Sequence, residues 1–392
     1  MQCDESRPLC RNCAKRFPGI QSCDFDRPAA GPAGSSSTAL PQSVICRPNH
    51  VHESNKLRML ELRLMYHYTK TVHTDLPDHG NMLCRGMWDL DIPQTAFGSD
   101  LVMSALLAIS ALHLRCLTPD DPDLTYAAGH YFGQAVRKYR PALAHITEPL
   151  AEPVIMTAMI VGFYTWLVSW TPNPGTPYTL PLQSFYLIRG VFDILLEVGG
   201  WIKSTNLKWL FVQPPVEDIN DPASTPFLVA YHLDRERLIK TLDDSVSPED
   251  KGVYIAGIDY ITSICNTLSR GASGELLRQK IAYMVPALPA RFLALLSQKD
   301  PRAMALIARD LSLLKLVDWS WWLHGPQNMN VEEYHVRGIC ELMPIEWLWA
   351  MDWPLRVASG KLGFRDNPAP VTETRQPNIP LRAIQSSPHL NV

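Results

Sequence analysis

Charge of either sign is scarce in this chain. Asp, Glu, Lys and Arg make up 19% of its 392 residues, and the formal net charge is -3. No global field draws it to nucleic acid, so any such binding has to be local. The N-terminus lacks the apolar segment that opens a secretory signal. Alternating polar and apolar runs are few, which speaks against a β architecture. Catalytic signatures are missing too. No phosphate-cradling glycine loop is present, and Gly271-Ala272-Ser273-Gly274 lacks the spacing of a nucleophile elbow. His67, His73, His79, His113 and His130 do not fall in the spacing of a helical zinc motif, and His113 reads as a satisfied core histidine. Asp120-Asp121-Pro122-Asp123 has the look of a metal-binding acidic run, but Pro122 marks a helix start, where acidic residues complement the dipole. No internal repeat is visible. The sequence offers no positive case for an enzyme.

What is there begins with apolar bulk. Hydrophobic residues are 46% of the chain, enough for a large core. Cysteine is uneven: of nine residues, Cys3, Cys10, Cys13 and Cys23 crowd the start, while Cys46, Cys84, Cys116, Cys265 and Cys340 are scattered. An odd total without a secretory signal argues against a disulfide framework, and in a reducing compartment clustered thiols are more often metal ligands. Pro153 to Ile188 carries no charged side chain. Its helical part, Val154–Trp170, is short for a membrane span and has no basic anchors, so it reads as a buried core helix and no span is expected.

Residues 1–27 form a cysteine module. Residues 28–55 are rich in Pro, Ala, Gly and Ser and read as a flexible linker. From Lys56 the pattern is helical, with Leu57, Leu60, Leu64, Met65 and Tyr68 at helical spacing. Ser99 caps a helix to Leu117, and another runs from Leu124 to about Ile146, kinked or split by Pro141. Further helices are expected over 153–170, 182–198, 226–242, 249–270, 274–285, 301–323 and 331–350. Asp300-Pro301 and Ser247-Pro248 are starts, Gly271 and Gly325 stops. The expected fold is all-α: the small cysteine module plus one large domain of about ten helices over 56–355. A polar, Pro-rich and partly disordered tail fills 356–392.

The cysteines are spaced C-x6-C-x2-C-x9-C. A C-x2-C pair delivers two thiolates to one ion from a tight turn, and zinc favours a tetrahedron of such ligands. A fragment this small has almost no core, so the metal would supply its folding free energy, on the order of 10 kcal/mol. Arg11, Lys15 and Arg16 place positive charge beside the thiolates.

Cys-Asp-Glu-Ser-Arg-Pro-Leu-Cys-Arg-Asn-Cys-Ala-Lys-Arg, from Cys3 to Arg16, resembles the second half of the fungal binuclear zinc cluster. That six-cysteine, two-zinc module binds DNA in fungal transcription factors. Cys3, Cys10, Cys13 and Cys23 match its third to sixth cysteines, and Cys10 its second bridging ligand. The resemblance implies zinc as cofactor, DNA as partner, and phosphate contacts by Arg11, Lys15 and Arg16. It also implies two earlier cysteines and a base-reading basic helix that the sequence does not contain. Met1-Gln2-Cys3 fits the frame before the third cysteine, so the natural chain is expected to start upstream.

The helical part carries a second resemblance. Met65-Tyr66-His67-Tyr68-Thr69, Trp88 to Pro93, Leu106 to Leu114, and Tyr126 to Ile146 are similar to the regulatory domain of the sterol uptake control protein group. It implies an all-helical regulatory domain and an apolar small-molecule ligand such as a sterol. Trp319, Trp321, Trp322, Trp347, Trp349 and Trp353 suit an aromatic ligand wall, and suit a core or dimer interface as well; the core reading is preferred. No sustained heptads follow the cysteines, so a homodimer would use the large domain. The expectation is a nuclear, zinc-cluster transcription regulator of sterol or lipid metabolism or of a secondary-metabolite gene cluster. Its alternatives are a regulator without DNA reading, acting by ligand binding or dimerisation, and an uncharacterised all-α enzyme.

Overall fold

Ser99 starts the helix on which the first half of the molecule is laid. Its extended backbone breaks the preceding helix, and its hydroxyl accepts from the Val102 amide, satisfying one of the free N–H groups of a helix start. The computed structural model describes residues 48–77, 86–169, 176–203, 205, 207, 225–326 and 329–364. Among them every regular element is a helix. The chain divides after Asn55 into two units, and the first contributes only the opening turns of α1 to the described residues.

The helices in order are α1 (Pro48–Lys70), α2 (Ile92–Gly98), α3 (Asp100–Leu117), α4 (Pro122–Ala144), α5 (Glu148–Ser169) and α6 (Leu182–Ile202). Then come α7 (Pro226–Ile239), α8 (Pro248–Ser269), α9 (Gly274–Ala282), α10 (Met284–Ala287) and α11 (Ala290–Ser297). The last are α12 (Pro301–Ser312), α13 (Trp321–His324), α14 (Val331–Leu342) and α15 (Asp352–Ala358). In the first half α3 packs along α4 and against α2 and α5, and α5 packs along α6. In the second half α12 is the hub, touching α8, α14 and α15. Helix α6 reaches α10 and α11, and α5 reaches α13, which joins the halves into one core.

The expected caps are in place. Asp300 accepts from the amides of Arg302 and Ala303, and Ser247 from Asp250. Asp121 accepts from Asp123 with Pro122 in the first turn, so the acidic run is a helix start. Gly271 and Gly325 lie at positive φ where their helices end.

Other boundaries moved. The first helix begins at Pro48, inside the segment that reads as linker. Helix α4 runs unsplit through Pro141, because that proline sits in its last turn, where few further hydrogen bonds remain to lose. The helix holding the charge-free run starts earlier, at Glu148, and carries Pro153 inside it. By length and composition α3 and α5 could each cross a membrane, but most of both is buried in the core. The stretch 301–323 is not one helix. It stops at Ser312, continues as a 3-10 turn to Leu316, extends at Val317 and resumes at Trp321. His324 holds that break: its Nε2 meets the Leu314 carbonyl at 3.2 Å, and its Nδ1 accepts from the Ser320 amide at 3.1 Å. Pro344 likewise ends the helix expected to reach residue 350, pushing Met343 into extended backbone.

Two polar clusters are buried in this core. Arg309 on α12 forks onto Asp234 of α7, with Nε–Oδ2 and Nη2–Oδ1 both 2.8 Å, and its third nitrogen donates to the Ala305 carbonyl at 2.6 Å. Asp75, His113 and His67 form a chain. His113 Nε2 lies 3.1 Å from Asp75 Oδ2, and its Nδ1 lies 2.9 Å from His67 Nε2. The carboxylate can only accept, so His113 donates to it through Nε2 and accepts from His67 through Nδ1. His113 is thus a hydrogen-bonded core histidine.

These clusters yield two predictions. Arg309→Leu leaves Asp234 buried and unpaired and should cost about 3–5 kcal/mol in urea unfolding, with most of it recovered in Arg309→Leu/Asp234→Leu. A double variant as weak as the single one would show that the orphaned charge is not the cause. The second concerns acid. Burial and the neighbouring His113 lower the His67 pKa to about 4. The unfolded chain takes a proton there near pH 6.5, which the folded chain refuses until about pH 4, so stability falls as pH drops through that window. Between pH 7.5 and 5 the wild type should lose about 2 kcal/mol more than His67→Gln, which keeps an N–H for His113. Parallel urea titrations that give a pH-independent difference would refute this.

Candidate functional site

Where α5, α6 and α12 approach one another, their side chains do not fill the space between them. A cavity of about 90 Å³ remains. Phe163 and Trp166 of α5, Phe185 of α6, Trp88 before α2 and Trp322 of α13 supply aromatic walls. Helix α5 brings its residues here because it is apolar on every side and packs on α3, α4, α6 and α13 at once. Each large ring is held from behind. Trp88 donates its Nε1 hydrogen to the Pro77 carbonyl at 2.7 Å, and Trp166 to the Leu323 carbonyl at 3.0 Å. Phe163 meets Trp88 at 6.0 Å and Trp322 edge-on at 5.6 Å between ring centroids. The walls are therefore rigid.

Behind Trp166 the packing continues outward. His335 of α14 stacks on it at 5.3 Å and hydrogen-bonds the Tyr178 hydroxyl through Nδ1 at 3.0 Å. Burial lowers the His335 pKa to about 3, so this ring is neutral. Tyr178 lies flat on Gly338, where an added Cβ would run into its ring. The glycine is there for space, because the strap before α6 crosses α14 at that point.

The cavity wall holds one unusual group. Asp310 of α12 is 2% exposed, and its Oδ1 has no hydrogen-bond partner. Burial among apolar side chains pushes its carboxyl well above the usual range. A second, polar cleft of about 210 Å³ lies on the other side of Trp322, between Asp75, Glu275, Arg278 and Trp319. Its charges are spoken for, since Arg278 pairs with Glu275 at 2.7 Å and Asp75 with His113.

Volume sets what the first cavity can take. Pockets for drug-sized ligands run from about 300 to 1,000 Å³. This one accepts a single ring, or one end of a longer apolar molecule.

The tryptophans singled out from the sequence mostly do something else. Trp322 lines the cavity, whereas Trp321 and Trp353 are core. Trp347 and Trp349 stack on each other at 5.7 Å under the guanidinium groups of Arg302 and Arg237. Phe163, Trp166 and Phe185 drew no attention in the sequence. Their only signal is aromatic content within a charge-free run, which an ordinary core shares.

Cys3, Cys10, Cys13 and Cys23, with Arg11, Lys15 and Arg16, lie outside the described residues. Among the described residues no cluster of His, Cys, Asp and Glu could hold a metal ion. Cys116, Cys265 and Cys340 are free thiols, and burial raises the pKa of each. None has the electropositive, accessible setting of a reactive thiolate.

Comparison with known proteins falls on the same two groups that the cysteines and the first helices resemble. No family model matches the chain. It is 26% identical to a Zn(2)-C6 fungal-type transcription factor of Gibberella zeae, over 91% of this chain and 83% of that protein. It is 27% identical to the Zn(2)-C6 fungal-type transcription factor afumD of Aspergillus fumigatus, over 78% of this chain and 79% of that protein. Sterol uptake control protein 2 of Candida albicans is 24% identical over 76% of this chain, which spans 44% of that longer protein. The homologues of this chain are therefore Zn(2)-C6 fungal-type transcription factors and sterol uptake control proteins.

Proposed function

We propose that the chain is a fungal transcription regulator whose helical domain senses an apolar small molecule. The observation that carries the sensing part is the rigid aromatic cavity between α5, α6 and α12, in a chain whose homologues include sterol uptake control proteins. In this reading a ligand such as a sterol enters by one end, between Trp88, Phe163 and Trp322. Cys3, Cys10, Cys13 and Cys23 hold zinc as thiolates, because a C-x2-C pair with flanking cysteines offers the donor set that zinc favours. Arg11, Lys15 and Arg16 contact DNA phosphates, and the protein works in the nucleus. Residues 1–27 are the zinc module, 28–55 join it to the regulatory domain over 56–355, and 356–392 form the tail. A homodimer, where it forms, uses the large domain.

Three experiments bear on this. Zinc content of the purified full chain, by elemental analysis, should drop by at least half in Cys10→Ser/Cys13→Ser. An unchanged content would place the metal elsewhere. A gel shift then separates DNA reading from zinc binding: specific retention at physiological salt supports the complete reading. Retention that is sequence-independent favours a regulator acting through its helical domain alone. For that domain, a fluorescent sterol excited through the wall tryptophans should report binding, and Ile188→Trp, which fills the cavity, should weaken it about tenfold or more. Equal binding by the filled variant would move the ligand site away from this cavity.

A further inference from the structure

The cavity combines apolar walls with one buried acid whose Oδ1 has no hydrogen-bond partner. Asp310 is next in sequence to Arg309, but that arginine faces the other way, and all three of its nitrogens are used by Asp234 and the Ala305 carbonyl. Tyr260, close by, donates its hydroxyl to the Lys280 carbonyl instead. Gln279 and Tyr283 also reach the cavity, and both are engaged in interactions of their own. Asp310 Oδ1 is left alone in the wall, shielded from solvent. Other buried side-chain atoms lack a partner among the described residues, but this one belongs to a residue that lines the cavity. A ligand group in the cavity that Asp310 lines would supply a partner for its carboxyl.

We propose that Asp310 is the polar anchor of this cavity and selects uncharged, apolar ligands that end in a hydroxyl or carbonyl group. The inference rests on reading the helical domain as a ligand sensor, and adds what that sensor recognises. An acid this deeply buried, with no cation facing it, is held in its neutral form. A neutral carboxyl offers both an O–H donor and a carbonyl acceptor. It can meet a hydroxyl both ways and a carbonyl by donation. A ligand ammonium would have to ionise the acid inside an apolar wall and would find no second anion there. A pure hydrocarbon fits the rings but leaves Oδ1 orphaned. Sites built to hydrogen-bond a ligand group discriminate strongly against analogues that lack it.

Single-ring probes match the cavity's size, and calorimetric titration of the full chain with phenol, toluene and benzylamine tests the assignment. The wild type should bind phenol and toluene, and benzylamine at least tenfold more weakly than phenol. In Asp310→Leu the affinity for phenol relative to toluene should fall about tenfold, the worth of one hydrogen bond. In Asp310→Asn, which keeps a donor and an acceptor in the same place, that ratio should stay within about threefold of wild type. Benzylamine binding tightest would overturn the proposal in favour of an ionised acid. Toluene and phenol losing equally in Asp310→Leu would sink the anchor while leaving the cavity as a ligand site. Failure of the wild type to bind any of the three would sink both the anchor and this cavity as the sensor. The wild-type comparison stands without any variant, and thermal melts of both variants report whether they are folded.

Discussion

The structure depends on one fully buried helix, α12. Every residue from Ala303 to Ser312 is inside, and α8, α14 and α15 close around it. A helix placed there must be apolar or have its polar groups met. Ala303, Met304, Leu306 and Ile307 fill the first requirement. Arg309 fills the second through its fork onto Asp234, and Ser312 by donating to the Arg309 carbonyl. The approach of α8 is so close that a Cβ on Gly257 would touch Leu306 at 2.8 Å. Packing of this kind fixes the position of the side chains on the helix, including Asp310, whose Oδ1 is not satisfied. Asp310 is held, buried, in the wall of the cavity with no partner for its Oδ1.

The same rigidity explains why the cavity persists. Its rings come from helices that each have another commitment. Trp88 is tied to Pro77, Trp166 to Leu323 and His335, and Phe163 to two neighbouring rings. Collapse would break those contacts to gain the burial of a small volume. Such a space is walled by aromatic rings, with Asp310, Gln279 and Tyr283 at its edge. The cavity is also coupled outward, through Trp166, His335 and Tyr178, to the contact of the strap on Gly338.

Much of the helical framework was legible before folding. Ser99, Ser247 and Asp300 announced their helices because a cap acts within three residues. The breaks within 301–323 and 331–350 were not legible. Apolar periodicity runs straight through the first, and it took the side chain of His324, folded back onto Leu314, to hold the turn. The short helix α11 was hidden by the prolines around it, although Phe292, Leu293, Leu295 and Leu296 all reach the core. His113 was recognisable as a core residue from its apolar setting. Its partners were not, because His67 and Asp75 come from other parts of the chain.

The sequence by itself determined the chemistry that lies within short reach along the chain. The four thiols and their spacing, the helix starts, and the all-α class are local properties, since a C-x2-C turn or a cap closes over a few residues. The tertiary structure alone decided that Trp88, Phe163, Phe185, Asp310 and Trp322, drawn from positions up to more than two hundred residues apart, line one cavity. It also decided that Arg309 turns to Asp234 and away from Asp310. No spacing rule spans such distances. The outcome is set by how rigid helices exclude one another when packed around α12.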